Sequence, residues 1–360
     1  MLETLLKEYN LPDFPEENTK EECRKILQEN VYGFLPEKPQ RVSFKDVWKA
    51  EYCFCAGNAE HKKVEISGTL ENGNKFSFPV YVSLPVGENG RKYPFFVFVN
   101  FRPDVPDRYF PTEEIIDNGC AVLSFCYHDV TTDNRDFNDG IAKAFFPEGR
   151  KNKNDAGKIM MWSWAAMRIM DYAEKELCEV LDFEKSAVVG HSRLGKTALV
   201  TTAFDERFKY CFSNDSGCGG AALERNHHDH DDKHENRAER IADMTSVFDY
   251  WFCENYLQYR NNENAMPCDQ HFFAPCIFPR HMYIASAAED FWADPTNEFM
   301  CAYACGKYYE KNGKTGFVCP DRLPDKDDVF ADGNVAYHIR PGKHYISRTD
   351  WNRYIDYLKK

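Results

Sequence analysis

Apolar residues in this chain gather in short unbroken runs, separated by polar stretches or by longer mixed segments of helical period. Pro94-Phe95-Phe96-Val97-Phe98-Val99-Asn100 and Ala121-Val122-Leu123-Ser124-Phe125 are such runs, and they fit strands buried on both faces. Ahead of them, Lys63 to Thr69 and Lys75 to Leu84 alternate in character across the turn Glu71-Asn72-Gly73-Asn74, which predicts an antiparallel pair. Between Asn154 and Glu176 the positions Ile159, Met160, Trp162, Trp164, Met167, Ile169, Met170 and Tyr172 make an apolar face too broad for a surface helix. That segment reads as a helix packed hard on a sheet. A strand around Val188, a helix to Phe204 and a strand at Tyr210-Cys211-Phe212-Ser213 follow. Met282-Tyr283-Ile284-Ala285-Ser286 is a late core strand followed by a helix through Cys301. Val335-Ala336-Tyr337-His338 is a short strand, and Thr349 to Leu358 a closing helix. Strands and helices in this order predict an α/β protein with helices on both faces of a mostly parallel sheet. The leading antiparallel pair makes the sheet mixed, as in an α/β-hydrolase fold.

Residues 1–50 read as an N-terminal helical extension, two short helices around a Pro-rich connection. Thr19-Lys20-Glu21-Glu22 is the capping box expected to open the second, which runs through Leu27. Residues 51–360 then form a single domain. The pattern loosens over about 217–276, which reads as a lid-like insertion over the rim of a site.

Composition narrows the partners. With 43% hydrophobic and 15% aromatic residues the chain suits a globular core and not a disordered one. A net charge of -13 argues against nucleic acid or an anionic membrane as partner. No apolar run approaches the length of a membrane span, and Met1-Leu2-Glu3-Thr4-Leu5-Leu6-Lys7-Glu8 is a charged amphipathic opening without the marks of an export signal. A cytoplasmic location is therefore expected. Fourteen cysteines are few for this length and several lie in apolar runs, so reduced thiols fit better than a disulfide scaffold. Cys53-x-Cys55 and the Cys301 to Cys305 pair lack matching second pairs, so structural zinc is not expected. Oligomeric state is left open.

The chemistry centres on Ala187-Val188-Val189-Gly190-His191-Ser192-Arg193-Leu194-Gly195-Lys196. A strand ending in Gly-x-Ser and passing at once into a helix is the grammar of a nucleophile elbow, which lifts a serine hydroxyl clear of a sheet. The usual Gly-x-Ser-x-Gly would place glycine at Leu194; here it comes one residue later, at Gly195. A serine hydroxyl needs an imidazole within hydrogen-bond reach and a carboxylate to orient that imidazole. In this fold the chain order is serine, acid, histidine, and Ser192, Asp290 and His344 satisfy it, with Asp290 past the late strand and His344 in the loop Arg340-Pro341-Gly342-Lys343-His344. Arg193 places its backbone N–H at the developing oxyanion, and Lys196 lies one helical turn beyond the serine on the same side, where a cation suits a hydroxylated or anionic substrate.

Gly-His-Ser-Arg-Leu-Gly-Lys at 190–196, Asn-Asp-Ser-Gly-Cys-Gly-Gly-Ala-Ala at 214–222, Trp-Phe-Cys at 251–253 and Arg-Pro-Gly-Lys-His at 340–344 resemble the glucuronoyl esterase family of carbohydrate esterases, its bacterial branch above all. The resemblance runs from about Lys25 to the C-terminus, and its Gly-x-Ser-Arg-x-Gly-Lys motif accounts for the displaced glycine. It implies a metal-free and cofactor-free serine carboxylesterase that cleaves the ester between glucuronic acid side chains of xylan and lignin alcohols. It further implies that Ser192 is the nucleophile, His344 the base, Arg193 an oxyanion donor through backbone and guanidinium, and Lys196 and Trp292 contacts to the uronate sugar. Two positions for the acid stay open, because many fungal members carry theirs at the position of Asp215 and others after the late strand, at the position of Asp290. His271 is a further candidate to face the substrate, a structural role being its other reading. The run Glu224 to Glu235, rich in His and Asp, admits either a metal site or a solvated lid loop. Beside the uronate esterase stand an acetyl esterase acting on acetylated xylo-oligosaccharides and a non-catalytic carbohydrate-binding protein on the same fold.

Overall fold

The computed structural model describes residues 1–87, 90–229 and 236–360. Ten strands form one sheet: β1 (Arg41–Lys49), β2 (Ala59–Thr69), β3 (Lys75–Pro85), β4 (Tyr93–Asn100), β5 (Ala121–Cys126), β6 (Leu181–His191), β7 (Tyr210–Asn214), β8 (His281–Ala287), β9 (Val329–Phe330) and β10 (Val335–Arg340). Their spatial order is β1-β2-β3-β5-β4-β6-β7-β8-β10-β9. The six strands from β5 to β10 in that order are parallel, the neighbouring pairs β1–β2, β2–β3 and β3–β5 are antiparallel, and β9 closes the far edge antiparallel. This is the mixed, mostly parallel sheet of the α/β-hydrolase fold.

Successive residues of a strand face opposite sides, so an unbroken apolar run feeds two cores. In β4, Phe95, Val97 and Val99 join the larger core with Trp162, Trp164 and Leu199, while Phe96 and Phe98 face a smaller one built on Phe110, Ile115, Trp351 and Tyr354. Helices Lys158–Glu176, Arg193–Phe204 and Pro295–Lys311 supply the larger core, and helices Thr112–Asp117 and Arg348–Lys359 the smaller. No helix among the described residues is long and apolar enough to cross a membrane. All fourteen cysteines are unpaired, and most are buried.

The N-terminal fifty residues differ from the helical extension expected. Helices Leu2–Glu8 and Thr19–Leu27 form, but Arg41–Lys49 is a strand on the edge of the main sheet. The Thr19 capping box does not form either. Asn18, at φ 48°, is the N-cap, and Thr19 Oγ1 donates to the Pro15 carbonyl at 2.9 Å. The late helix runs past Cys301 to Lys311. Gly306 lies inside it as a packing glycine, since a Cβ there would stand 2.4 Å from the Phe317 Cβ. In the 217–276 segment helices Ile241–Phe248 and Phe273–Ile277 are joined by short 3-10 turns. Of the His/Asp-rich run considered for metal, His230 to Glu235 lie outside the described residues.

Candidate active site

β6 lies between β4 and β7, and its register carries Gly190 and His191 to the C-terminal edge of the sheet, where open α/β sheets place their ligands. Ser192 follows with φ 59° and ψ -130°, a strained turn that sends the chain directly into helix Arg193–Phe204. Two glycines permit it. A Cβ on Gly190 would lie 2.0 Å from the Leu194 carbonyl oxygen, and a Cβ on Gly195 would lie 3.0 Å from the Ser216 Cβ and 3.1 Å from the Asn214 oxygen. The displaced glycine thus answers to the loop leaving β7, while Leu194 is free to enter the core.

At the turn three side chains form a relay. His344 Nε2 lies 2.8 Å from Ser192 Oγ, and His344 Nδ1 lies 2.5 Å from Asp290 Oδ2. The Ser192 oxygen and the Asp290 carboxylate therefore sit on opposite nitrogens of one imidazole, which fixes a tautomer with Nδ1 protonated and Nε2 ready to accept. Asp290 is held at a residual exposure of 7%, while the His344 side chain is 45% exposed and open to a substrate.

Asp215 takes a different place. It is buried against Arg340, whose Nη2 donates to its Oδ2 at 3.2 Å, and no hydrogen bond joins it to His344. Burial, then the nearby Asp290, push its carboxyl well above the usual range, and Arg340 opposes them. His191 stacks at a tilt against His344 with ring centroids 4.5 Å apart. Its Nδ1 is 2.7 Å from Asn214 Oδ1, and burial, followed by the His344 neighbour, holds it well below the ordinary histidine value, so it stays neutral. His191, Asp215 and His344 also bring one donor atom each within 4.8 Å of one another. Asp215 Oδ1 has no hydrogen-bond partner, but both nitrogens of His344 are engaged by Asp290 and Ser192, so an ion held by this group would have to break the relay.

Arg193 is anchored over aromatic rings. Its guanidinium lies 4.5 Å from the Trp251 centroid and 5.2 Å from that of Phe248, and Nη1 donates to Asp133 Oδ2. Asp133 also accepts from Tyr127 Oη at 3.1 Å, Tyr250 Oη at 3.1 Å and Trp251 Nε1 at 2.6 Å. Arg193 Nε keeps its proton without a protein acceptor. Lys196 is buried, with Nζ donating to the carbonyl oxygens of Ser216 and, at 2.6 Å, Cys218. Burial lowers its pKa, and Glu239 heads the carboxylates and thiols that oppose this. Glu239 also contacts Trp292 through its side chain, and its N–H donates to the Trp292 carbonyl at 3.0 Å. Burial pushes the Glu239 carboxyl up to about 7, against the pull of Lys196 and Trp292. Lys196, Glu239 and Trp292 thus form a polar corner beside the relay. Glu239 and Asp133 could not be singled out in the sequence because each is one of several acids in a polar stretch, with no spacing to set it apart from Asp129, Asp136 and Asp139 or from Glu235 and Asp243.

His271 joins none of this. Its Nε2 lies 3.0 Å from the Pro12 carbonyl oxygen, and its ring packs against Phe14 and Phe272, a structural setting under the N-terminal segment.

Glu298 braces the loop after β7, its Oε1 accepting from the N–H groups of Ser216 at 2.7 Å and Gly217 at 3.0 Å and its Oε2 from Ser286 Oγ at 2.6 Å. Burial raises its carboxyl to about 8 in spite of those donors. The folded pKa lies above the unfolded value of about 4.3, so the folded chain holds the proton more tightly. Folding stability is therefore greatest below about pH 4.3 as far as this group is concerned, and it declines as pH rises toward about 8. Glu298→Gln should flatten that decline. Urea unfolding of both proteins from about pH 5 to about pH 9 checks it, and parallel curves would refute it.

A serine, an imidazole and a carboxylate in relay at such an elbow, on this sheet, define a serine hydrolase of the α/β-hydrolase class. The family model described as "Glucuronyl esterase, fungi" matches residues 68–313, and the chain belongs to this glucuronoyl esterase family. Among relatives, Carbohydrate esterase MZ0003 of an unknown prokaryotic organism is 35% identical over 247 residues, 68% of this chain and 54% of that protein. The 4-O-methyl-glucuronoyl methylesterase of Podospora anserina is 26% identical over 295 residues, 81% of this chain and 55% of that one. The chain spans about half the length of these curated relatives. Among solved structures, the glucuronoyl esterase from Solibacter usitatus superposes with a TM-score of 0.83 at 29% identity, covering 95% of this chain and 92% of its own. A promiscuous CE15 esterase from a marine bacterial metagenome does so with a TM-score of 0.80 at 26% identity, covering 98% of both.

Proposed function

We propose that this protein is a serine carboxylesterase that hydrolyses a uronic-acid (glucuronoyl) ester of a carbohydrate through an acyl-enzyme. The observation that carries the reading is the unbroken relay from Ser192 through His344 to Asp290. As Ser192 Oγ attacks the ester carbonyl, His344 Nε2 takes its proton and Asp290 stabilises the imidazolium. The oxyanion of the tetrahedral intermediate falls to the Arg193 backbone N–H, which as the first of its helix has no carbonyl one turn back, with the guanidinium of the same residue adding its charge. His344 then gives the proton to the departing alcohol, and water activated by the same imidazole releases the uronic acid. No step calls for a metal or cofactor. The names of the relatives favour a glucuronate as the acyl half, and the corner of Lys196, Glu239 and Trp292 supplies donors and an acceptor for ring hydroxyls. Imported oligosaccharides derived from xylan suit the cytoplasmic location proposed for the chain.

A panel of benzyl glucuronate, its 4-O-methyl form and acetylated xylo-oligosaccharides tests the reading. Turnover of the two glucuronates is expected, and hydrolysis of the acetylated sugars alone would replace it with an acetyl esterase. Lys196→Met should lower kcat/KM on the glucuronates by about 10- to 100-fold, the range of a lost charged hydrogen bond, and much less on an aryl acetate. Equal losses on both would remove Lys196 from the sugar site.

A further inference from the structure

His344 stands in the loop between β10 and helix Arg348–Lys359. A side chain that is 45% exposed is only as well placed as the backbone that carries it. That backbone is gripped from beneath by one guanidinium. Arg340, the last residue of β10 and 2% exposed, donates from Nη2 to the carbonyl oxygens of both chain neighbours of His344, Lys343 at 3.2 Å and Tyr345. Its Nη1 donates to the Pro341 carbonyl at 3.0 Å, and the Tyr345 ring covers the guanidinium with its centroid 4.0 Å from Cζ. The fork is itself fixed by two buried carboxylates, Nε on Asp350 Oδ2 at 2.9 Å and Nη2 on Asp215 Oδ2 at 3.2 Å. Asp350 is locked in turn, accepting from His338 Nε2 at 2.9 Å, Asn214 Nδ2 at 3.2 Å and the Ser347 N–H at 2.6 Å.

We propose that Arg340 is a positioning residue for the esterase reaction: it clamps the backbone on both sides of His344, and Asp215 acts through it as its anchor. The inference rests on the triad reading above. Only a planar, permanently charged fork can serve two carboxylates and several carbonyls at once, and a lysine ammonium in its place keeps the charge but loses the fork.

Arg340→Lys is therefore the test, because it leaves Asp215 and Asp350 a buried cation. On both a glucuronate ester and an aryl acetate, kcat should fall by about 10- to 100-fold with KM within about twofold, as expected for a misplaced catalytic group. The far-downfield proton resonance of the His344–Asp290 hydrogen bond should broaden or disappear, which a purely structural residue would not cause in a folded protein. Asp215→Asn should show a weaker form of the same loss, and its effect should not add to that of Arg340→Lys. Wild-type kcat in folded Arg340→Lys overturns the clamp, as does a loss that vanishes once rates are normalised to active sites titrated with a fluorophosphonate. Should Arg340→Lys fail to fold, Asp215→Asn decides alone, and wild-type kcat in it overturns the proposal. Undiminished turnover by Ser192→Ala would instead bring down the triad reading and the clamp together.

Discussion

Ser192→Ala is expected to lose at least about three orders of magnitude in kcat while its unfolding transition stays near that of the parent. Triad members act as a unit, so removing the nucleophile leaves only binding and the oxyanion donors to speed reaction with water. The strained backbone at φ 59° belongs to the turn and persists with alanine. Among the described residues no second hydroxyl bonds His344, whose nitrogens are taken by Ser192 and Asp290. Steady-state kinetics on a glucuronate ester, alongside thermal unfolding, check this. Hydrolysis near the parental rate by a pure, folded Ser192→Ala protein would refute the mechanism.

Asp290→Asn should cost about 10³- to 10⁴-fold in kcat, because an amide at Oδ2 favours the imidazole tautomer with its proton on the wrong nitrogen. Asp215→Asn should cost about tenfold, since Asp215 bonds the guanidinium of Arg340 and reaches His344 only through it. The comparison decides between two carboxylates that stand close enough for Asp290 to raise the pKa of Asp215. A loss confined to Asp215→Asn would reverse the assignment.

Much of this was legible because apolar runs and chain order survive without neighbours. The strands around Val97, Leu123, Val188 and Ile284 are buried on both faces at their centres, so apolar residues dominate there and the few polar ones, such as Ser124 and Ser286, are small. Ser192, Asp290 and His344 were marked by the fold's chain order, and their meeting follows from the C-terminal ends of β6, β8 and β10 lying along one edge of the sheet, with only β7 between the first two. β1 was not legible: it is an edge strand whose Lys45, Asp46 and Lys49 face solvent, and only pairing with β2 makes it a strand. His271 misled because a histidine buried on a backbone carbonyl has the same letter as one facing a ligand. The anchoring by Arg340 was hidden in a motif that names the histidine but not its support. Its partners Asp215 and Asp350 lie 125 and 10 residues away in the chain.

Asp133 gathers donors from three separate segments, Tyr127, Arg193 and the pair Tyr250 and Trp251. A guanidinium tied in this way and pressed on Trp251 has little conformational freedom left to surrender when an ester arrives. Its ordering entropy was settled when the chain folded. On the mechanism proposed above, the field at the reacting carbonyl is then a fixed property of the scaffold, and discrimination among esters would fall to how well each acyl and alcohol half can bring its carbonyl to that one point.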